Sequence, residues 1–363
     1  MVNDPAMVVK YWGVRGSVPS PLTHDQILEK QTALIRELYS SGGLEATFGK
    51  KPTDEEILKK LLTLPPSLSS TYGGDTTCVE IQAKDSPLII IDAGTGIRHL
   101  GRELLGRLLK GQNLNPLNTC EETKRDIHIL FTHFHWDHLQ GFPFFAPGFM
   151  SGKFRVNLHL YGRRDAKQRL TDVLAGQQEC PNFPVLWDDM PCQKISYELR
   201  RMSKETISIG KAMVNYQELT HPDAVFAYSV EVEGKKFVFA TDTEHKDIID
   251  PRLTNLCKGC QILYYDSQYT PDDYVGTPGG ITGSTPKIDW GHSTYEWGVK
   301  TVLRANVPTL VLGHHEPVRN DFQLEELLGQ AKDYLAKQLA KPEFSSKKVE
   351  ILLARQGLEQ KLF

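Results

Sequence analysis

Apolar residues recur along this chain with two different periods. Short runs suited to strands, beginning with MVVKY at Met7 to Tyr11 and continuing through CVEIQA, SPLIIIDAG, DIHILFTH, VNLHLYG, CQILYYD and PTLVLGHH, are bounded by glycine, proline or polar turn residues. Between them lie segments with apolar residues at helical spacing, among them IRHLGRELLGRLL, RRDAKQRLTDVLAG and STYEWGVKTVLRAN. The run SPLIIIDAG has no polar alternation, which predicts a strand buried on both faces. AYSVEVEGKKFVFATD alternates on either side of Glu233-Gly234 and predicts a hairpin. A further helix and the run VEILLARQG complete the pattern.

The pattern changes between Thr23 and Ser70. Helix formers, the charged stretch KKPTDEE and the closing LPPSLSS predict a mostly helical insertion at about 23–70, serving as a lid or partner surface. The rest of 1–363 reads as a single α/β domain. Mixed strands with interleaved helices predict sheets covered by helices, and functional residues in the loops at strand ends.

Composition narrows the function without naming it. A hydrophobic content of 40% and a charged content of 24% suit a chain with a sizeable core. The net charge of -3 and the lack of a Lys/Arg run disfavour a nucleic-acid polymer as partner. Met1 to Lys10 has no signal-peptide pattern, and no window approaches the roughly 20 apolar residues that span a bilayer, so a cytoplasmic protein without a membrane partner is expected. Six scattered cysteines read as reduced thiols; Cys257 and Cys260 form a lone C-x-x-C without the second pair or histidines of a structural zinc site.

One stretch stands apart. FTHFHWDHLQG, Phe131 to Gly141, gathers His133, His135, Asp137 and His138 into six positions. With 12 histidines in 363 residues, chance would produce H-x-H-x-D-H with odds on the order of one in a thousand. His133 and His135 lie two apart in an extended segment and can project to one side to share a metal, while Asp137 and His138 follow where the chain bends.

THFHWDH, together with the strand-end Asp92 of IIIDAGTG, resembles the metallo-beta-lactamase superfamily. LTHPDAVFAYSV, FVFATDT, WGHST and LVLGHHEP follow in the matching order and offer His221, Asp242, His292 and His314. The resemblance covers nearly the whole chain outside the insertion. It implies an alpha-beta-beta-alpha sandwich with two divalent metal ions at one edge, zinc first, with manganese or iron equally served by such ligands. One ion would be held by His133, His135 and His221, the other by Asp137, His138 and His314, with Asp242 between them. His315 adjoins His314; neighbours on a strand point to opposite faces, and the family pattern favours His314. Asp92 would orient a metal-bound histidine.

An aspartate at the ATDT position is similar to the phosphodiesterase and ribonuclease Z branch. Two divalent ions set against Asp137, Asp242 and a shared hydroxide leave a net positive centre that attracts an anion, and paired metals suit in-line displacement at phosphorus. His292, not required for either metal, would stabilise or protonate the departing oxygen. The glycine-rich GVRGSVPSP is also similar to this branch, with Arg15 and Ser17 as substrate contacts; Asp266, Tyr269 and Asp289 are supporting candidates, either carboxylate being placed to orient His292. The expected activity is hydrolysis of a small phosphodiester, a cyclic nucleotide or cyclic sugar phosphate, with catalytic roles for His292, Asp137 and Asp92. The competing readings are a ribonuclease Z-like endonuclease, a lactonase or ester hydrolase, and a non-catalytic metal-binding sensory module. A homodimer is compatible with the sequence.

Overall fold

The computed structural model describes residues 4–164, 169–201 and 205–363. Its strands, in chain order, are β1 (Met7–Gly13), β2 (Cys78–Ala83), β3 (Leu88–Ile91), β4 (Asp126–Leu130), β5 (Asn157–Arg163), β6 (Gln193–Leu199) and β7 (Ile207–Ile209). They continue with β8 (Ala212–Leu219), β9 (Val225–Val232), β10 (Lys235–Ala240), β11 (Ile262–Asp266), β12 (Thr309–Gly313), β13 (Glu350–Leu353) and β14 (Glu359–Leu362). The helices are α1 (His24–Ser40), α2 (Leu44–Phe48), α3 (Asp54–Leu61), α4 (Pro66–Ser69), α5 (Ile97–Leu109), α6 (Leu170–Gly176), α7 (Pro251–Leu256), α8 (Pro271–Val275), α9 (Tyr295–Ala305) and α10 (Asp321–Leu339).

Two seven-stranded mixed sheets form, in the orders β14-β1-β2-β3-β4-β5-β6 and β13-β12-β11-β10-β9-β8-β7. Their inner faces meet in a core that includes Val9, Ile81, Ile89 and Ile91 from the first sheet and Val214, Tyr228, Phe239 and Val311 from the second. On the outer face of the first sheet, Leu88, Ile90 and Ile127 pack against Leu100 and Leu104 of α5. On that of the second, Leu263 and Leu310 pack against Val299 of α9 and Leu327 of α10. This is the alpha-beta-beta-alpha sandwich. β3 has Ile89 and Ile91 facing one core and Leu88 and Ile90 the other, which is why its sequence carries no polar alternation.

The hairpin turns at Glu233 and Gly234, with φ of 49° and 74°, the left-handed pair that a two-residue hairpin turn requires. Helix RRDAKQRLTDVLAG is seen from Leu170 to Gly176; residues 165–168 lie outside the described residues. Four strands were not expected from periodicity. β6 is an edge strand with mostly exposed or half-exposed side chains, β7 has three residues, and β14 anchors its edge of the first sheet mainly through Leu362. β8 does alternate, with Ala212, Val214 and Tyr216 buried.

Helices α1 to α4 occupy residues 24–69. Thr23 and Thr53 cap α1 and α3 through reciprocal bonds with Gln26 and Glu56. The segment is latched to α10: Lys30 Nζ lies 2.5 Å from Asp321 Oδ2 and 3.0 Å from the Pro66 carbonyl, while Ser67 donates to Glu325 from its amide (2.9 Å) and hydroxyl (2.6 Å). Among the described residues, no helix is long and apolar enough to cross a membrane.

Candidate metal centre

The residues gathered at the site come mostly from the C-terminal ends of strands, with His292 supplied by the segment before α9. Asp92 follows β3, the histidine loop follows β4, His221 follows β8, Asp242 follows β10, Asp266 ends β11 and His314 follows β12. After β4 the chain stays extended through His135 and then tightens into a 3-10 turn at Trp136–His138, which drives Asp137 and His138 inward. Asp92, Asp242 and His314 adopt left-handed backbones, with φ of 60°, 49° and 56°. Such conformations are uncommon outside glycine and cost free energy that the surrounding fold must supply.

Two quartets of ligand atoms result, each gathered within 4.8 Å: His133, His135, His221 and Asp242, and Asp137, His138, Asp242 and His314. In the second, Nε2 of His138 lies 3.2 Å from Asp137 Oδ2 and 3.3 Å from Asp242 Oδ1. Nε2 of His314 lies 3.4 and 3.1 Å from the same two atoms. In the first, His133 Nε2 lies 3.6 Å from Asp242 Oδ2. Bonds of about 2.0–2.1 Å to a tetrahedral ion place ligand atoms about 3.3–3.4 Å apart, so these spacings suit a divalent cation.

The hydrogen bonds point the same way. Nε2 of His133, His138 and His314, and both ring nitrogens of His221, are buried without a hydrogen-bond partner. Orphaned buried nitrogens cost free energy unless something accepts their lone pairs. Four of the five rings are anchored through the other nitrogen. His138 Nδ1 bonds Asp92 at 2.7 Å, His314 Nδ1 bonds Gln268 Oε1 at 3.1 Å, His133 Nδ1 bonds Thr132 Oγ1 at 3.1 Å, and His135 Nε2 bonds Asp223 at 2.9 Å. Each such bond fixes a tautomer and turns the remaining nitrogen toward the centre. The donor set fits a pair of divalent ions.

Charge agrees. Burial pushes His133 well below the usual imidazole range and His221 down to about 4, so both are neutral donors at neutral pH. Burial opposes ionisation of Asp137 and Asp242, yet the neighbouring imidazoles His138 and His314 outweigh it and hold both carboxyls well below their usual range. His138 is raised against the cost of its burial by Asp137, Asp242 and Asp92. The cluster is built to hold positive charge.

Asp92 is fully buried, accepting from the Thr132 amide (2.8 Å) and hydroxyl as well as from His138, so it orients a ring. The Ser17 amide donates to Asp137 Oδ2 at 2.8 Å, which puts the glycine-rich loop against the centre; the Ser17 side chain is exposed. His315 faces away, its Nε2 bonded to the Ala354 carbonyl at 2.8 Å.

Arg15 corrects an expectation. Its guanidinium is buried and spent on the carbonyls of Gly73 (2.9 Å), Glu316 (3.1 Å) and Arg319 (2.8 Å), with Asp321 at 3.8 Å. It ties the glycine-rich loop to the start of α10 and has no direction left for a substrate.

Four supporting residues were not singled out from sequence. Asp223 lies in LTHPDA beside His221, and Gln268 lies between Asp266 and Tyr269, but nothing in the sequence says which polar neighbour reaches which ring. Gly16 and Gly291 leave space: a Cβ on Gly16 would meet the His314 ring at 2.5 Å, and one on Gly291 would meet His221 at 2.2 Å. Asp223 offers a clean test, because its side chain is 66% exposed and carries little of the fold. Asp223→Ala is expected to weaken metal binding about 10-fold, read by chelator competition, with thermal unfolding of the metal-free protein unchanged.

His292 stands against this cluster, its ring centroid 5.0 Å from that of His314 and its Nδ1 4.0 Å from Asp242 Oδ2. Nδ1 bonds Asp266 Oδ2 at 2.9 Å. Asp266 therefore supports His292, whereas Asp289 is exposed and engages Lys246. Tyr269 is buried with its ring 6.0 Å from that of His292. Burial disfavours a charged His292, but Asp266, then Asp242 and Asp137, overcome this and lift it to about 9. Asp242, Asp266, His292 and His314 form a third close grouping, in which Asp266 is already engaged by His292 and by the Gln268 amide.

Residues 88–315 match the family profile described as beta-lactamase superfamily domain, a span that contains every ligand of both quartets. The chain belongs to the metallo-beta-lactamase superfamily. Its members are typically hydrolases. Among solved structures, this metallo-beta-lactamase-fold chain is similar to unliganded yeast PDE1, at 12% identity and TM-score 0.57, over 99% of this chain and 100% of that one. A diphosphatase of the PhnP family aligns at 15% identity and TM-score 0.52, over 98% of both chains. The short form of human tRNase Z aligns at 13% identity and TM-score 0.52, over 98% of this chain and 99% of that one. At these identities the likeness concerns the fold. A comparison with curated protein sequences gives no match.

Proposed function

We propose that this member of the superfamily is a metal-dependent phosphodiesterase that cleaves a small phosphodiester, a cyclic nucleotide or cyclic sugar phosphate. The observation that carries the reading is the His292–Asp266 pair, set against the ligand cluster yet outside both quartets that complete a metal shell. Bound there, two divalent ions, zinc first among them, would supply Lewis-acid stabilisation and an acidified water.

The protein's own groups do the rest. His133, His135, His221 and Asp242, and Asp137, His138, Asp242 and His314, are the residues that would hold the cations. Asp266 occupies His292 Nδ1 and leaves Nε2 as the atom able to carry a proton to a departing oxygen. The Ser17 amide and Asp92 keep Asp137 and His138 from turning away. The tRNase Z and diphosphatase likenesses support chemistry at phosphorus, since both names describe cleavage of phosphorus–oxygen bonds.

The test is a substrate screen with protein reconstituted in a defined metal, setting cyclic mononucleotides, cyclic dinucleotides and cyclic ribose phosphates beside a lactone panel and a tRNA precursor. Turnover of a small diester at least ten times that of any lactone or RNA is expected. A preference for lactones or for tRNA would reject the proposal.

A further inference from the structure

A groove of about 420 Å³ abuts the metal loop, with Trp136, Phe144, Arg98 and Pro19 among its walls. It adjoins a second hollow of about 530 Å³, with which it shares Pro19, Asp75 and Arg98. Both volumes lie in the range of small-molecule sites.

Trp136 sits between the ligands His135 and Asp137. The turn that buries Asp137 and His138 leaves the Trp136 side chain outside, 69% exposed, and Phe144 is 57% exposed at the same groove. One exposed aromatic is ordinary, but two lining one hollow beside Arg98 and Asp75 form a surface that is apolar and flat with a charged, hydrogen-bonding rim. Arg98 forms no salt bridge among the described residues; its side chain bonds the ring of His99 at 3.0 Å. Asp75 lines the same two hollows, accepting from Gln356 at 2.9 Å and lying 3.0 Å from the His99 Nε2 that Arg98 also approaches, so the rim offers a carboxylate as well as a guanidinium. A flat heteroaromatic group with both hydrogen-bond donors and acceptors along its edge meets all of these features at once.

We infer that Trp136 and Arg98 form a nucleobase subsite, Trp136 as stacking platform and Arg98 as a hydrogen-bonding edge, and that the diester processed at the adjoining centre carries a base. The choice of substrate rests on the phosphodiesterase reading; the binding of a base does not. Stacking a base on an aromatic side chain is sequence-tolerant, which makes the subsite selective for the presence of a base above its identity.

The experiment has two arms, both on the metal-reconstituted full chain. In the first, kcat/KM for a cyclic nucleoside monophosphate is divided by that for the base-less O-methyl ribose cyclic phosphate. Trp136→Ala is expected to lower this ratio about 10-fold, chiefly through KM for the nucleotide, and Trp136→Phe to retain most of it. In the second, adenosine monophosphate is titrated against tryptophan fluorescence; saturable quenching is expected in the wild type, lost in Trp136→Phe and weakened in Arg98→Ala. A ratio unmoved by Trp136→Ala, or quenching that persists in Trp136→Phe, would overturn the subsite. If the wild type cleaves neither diester, the phosphodiesterase reading falls and the titration alone decides whether a base binds at Trp136.

Discussion

His292→Ala is expected to lower turnover of an alkyl-leaving phosphodiester, such as a cyclic nucleotide, by about 10²- to 10⁴-fold, the usual contribution of a positioned proton donor. Metal content measured by elemental analysis should stay at the wild-type value, because both ligand quartets are complete without His292. The leaving group makes the test specific. A sugar alkoxide must be protonated as it departs, whereas p-nitrophenolate leaves without help, so the loss should shrink with bis(p-nitrophenyl) phosphate. Asp266→Asn should give a smaller version of the same pattern, since it releases the ring from its 2.9 Å bond without deleting it. Equal losses on both substrates would remove His292 from the departing-oxygen role.

On the proposed two-ion centre, Asp242→Asn is expected to lower the metal count of the reconstituted protein by one ion per chain. Asp242 Oδ1 faces His138 and His314, at 3.3 and 3.1 Å, while Oδ2 faces His133 at 3.6 Å, so the two oxygens serve different quartets. An amide keeps one oxygen and replaces the other with a nitrogen that cannot donate a lone pair to a cation. Asparagine also tolerates the left-handed backbone at this position, φ 49°, which alanine would not. The vacated quartet should bind metal more than about 100-fold more weakly, beyond the usual cost of losing a residue that only orients a ligand. Elemental analysis after gel filtration gives the count, and two ions retained in the variant would refute the shared role of Asp242.

Much of this architecture was legible because burial writes itself into local pattern. CVEIQA and IRHLGRELLGRLL coincide with β2 and α5, and the uninterrupted LIII is β3, apolar on both faces. Strands that bury little leave little trace: QKISYEL hides only Leu199, and EQKL only Leu362. At the centre, the histidine loop was legible from residue type and spacing, whereas His221, Asp242, His292 and His314 were nominated through the resemblance of their motifs, in chain order, to the metallo-beta-lactamase superfamily. Direction was not legible. Arg15 looks the same in sequence whether its guanidinium faces a substrate or three buried carbonyls, and only the close return of residues 316–321 decides it. Gly16 and Gly291 are likewise invisible as requirements until the rings of His314 and His221 are seen pressing on them.

The seven donors are divided between the halves of the sandwich. His133, His135, Asp137 and His138 leave the first sheet, while His221, Asp242 and His314 leave the second. At this rim the hydrophobic seam between the halves gives way to a few crossing hydrogen bonds, such as His135 to Asp223 and Gly16 to His315, and to facing carboxylates and lone pairs. Cations bound between these donors would act as a buckle, adding to the cohesion of this end of the molecule in the same step that supplies the proposed chemistry.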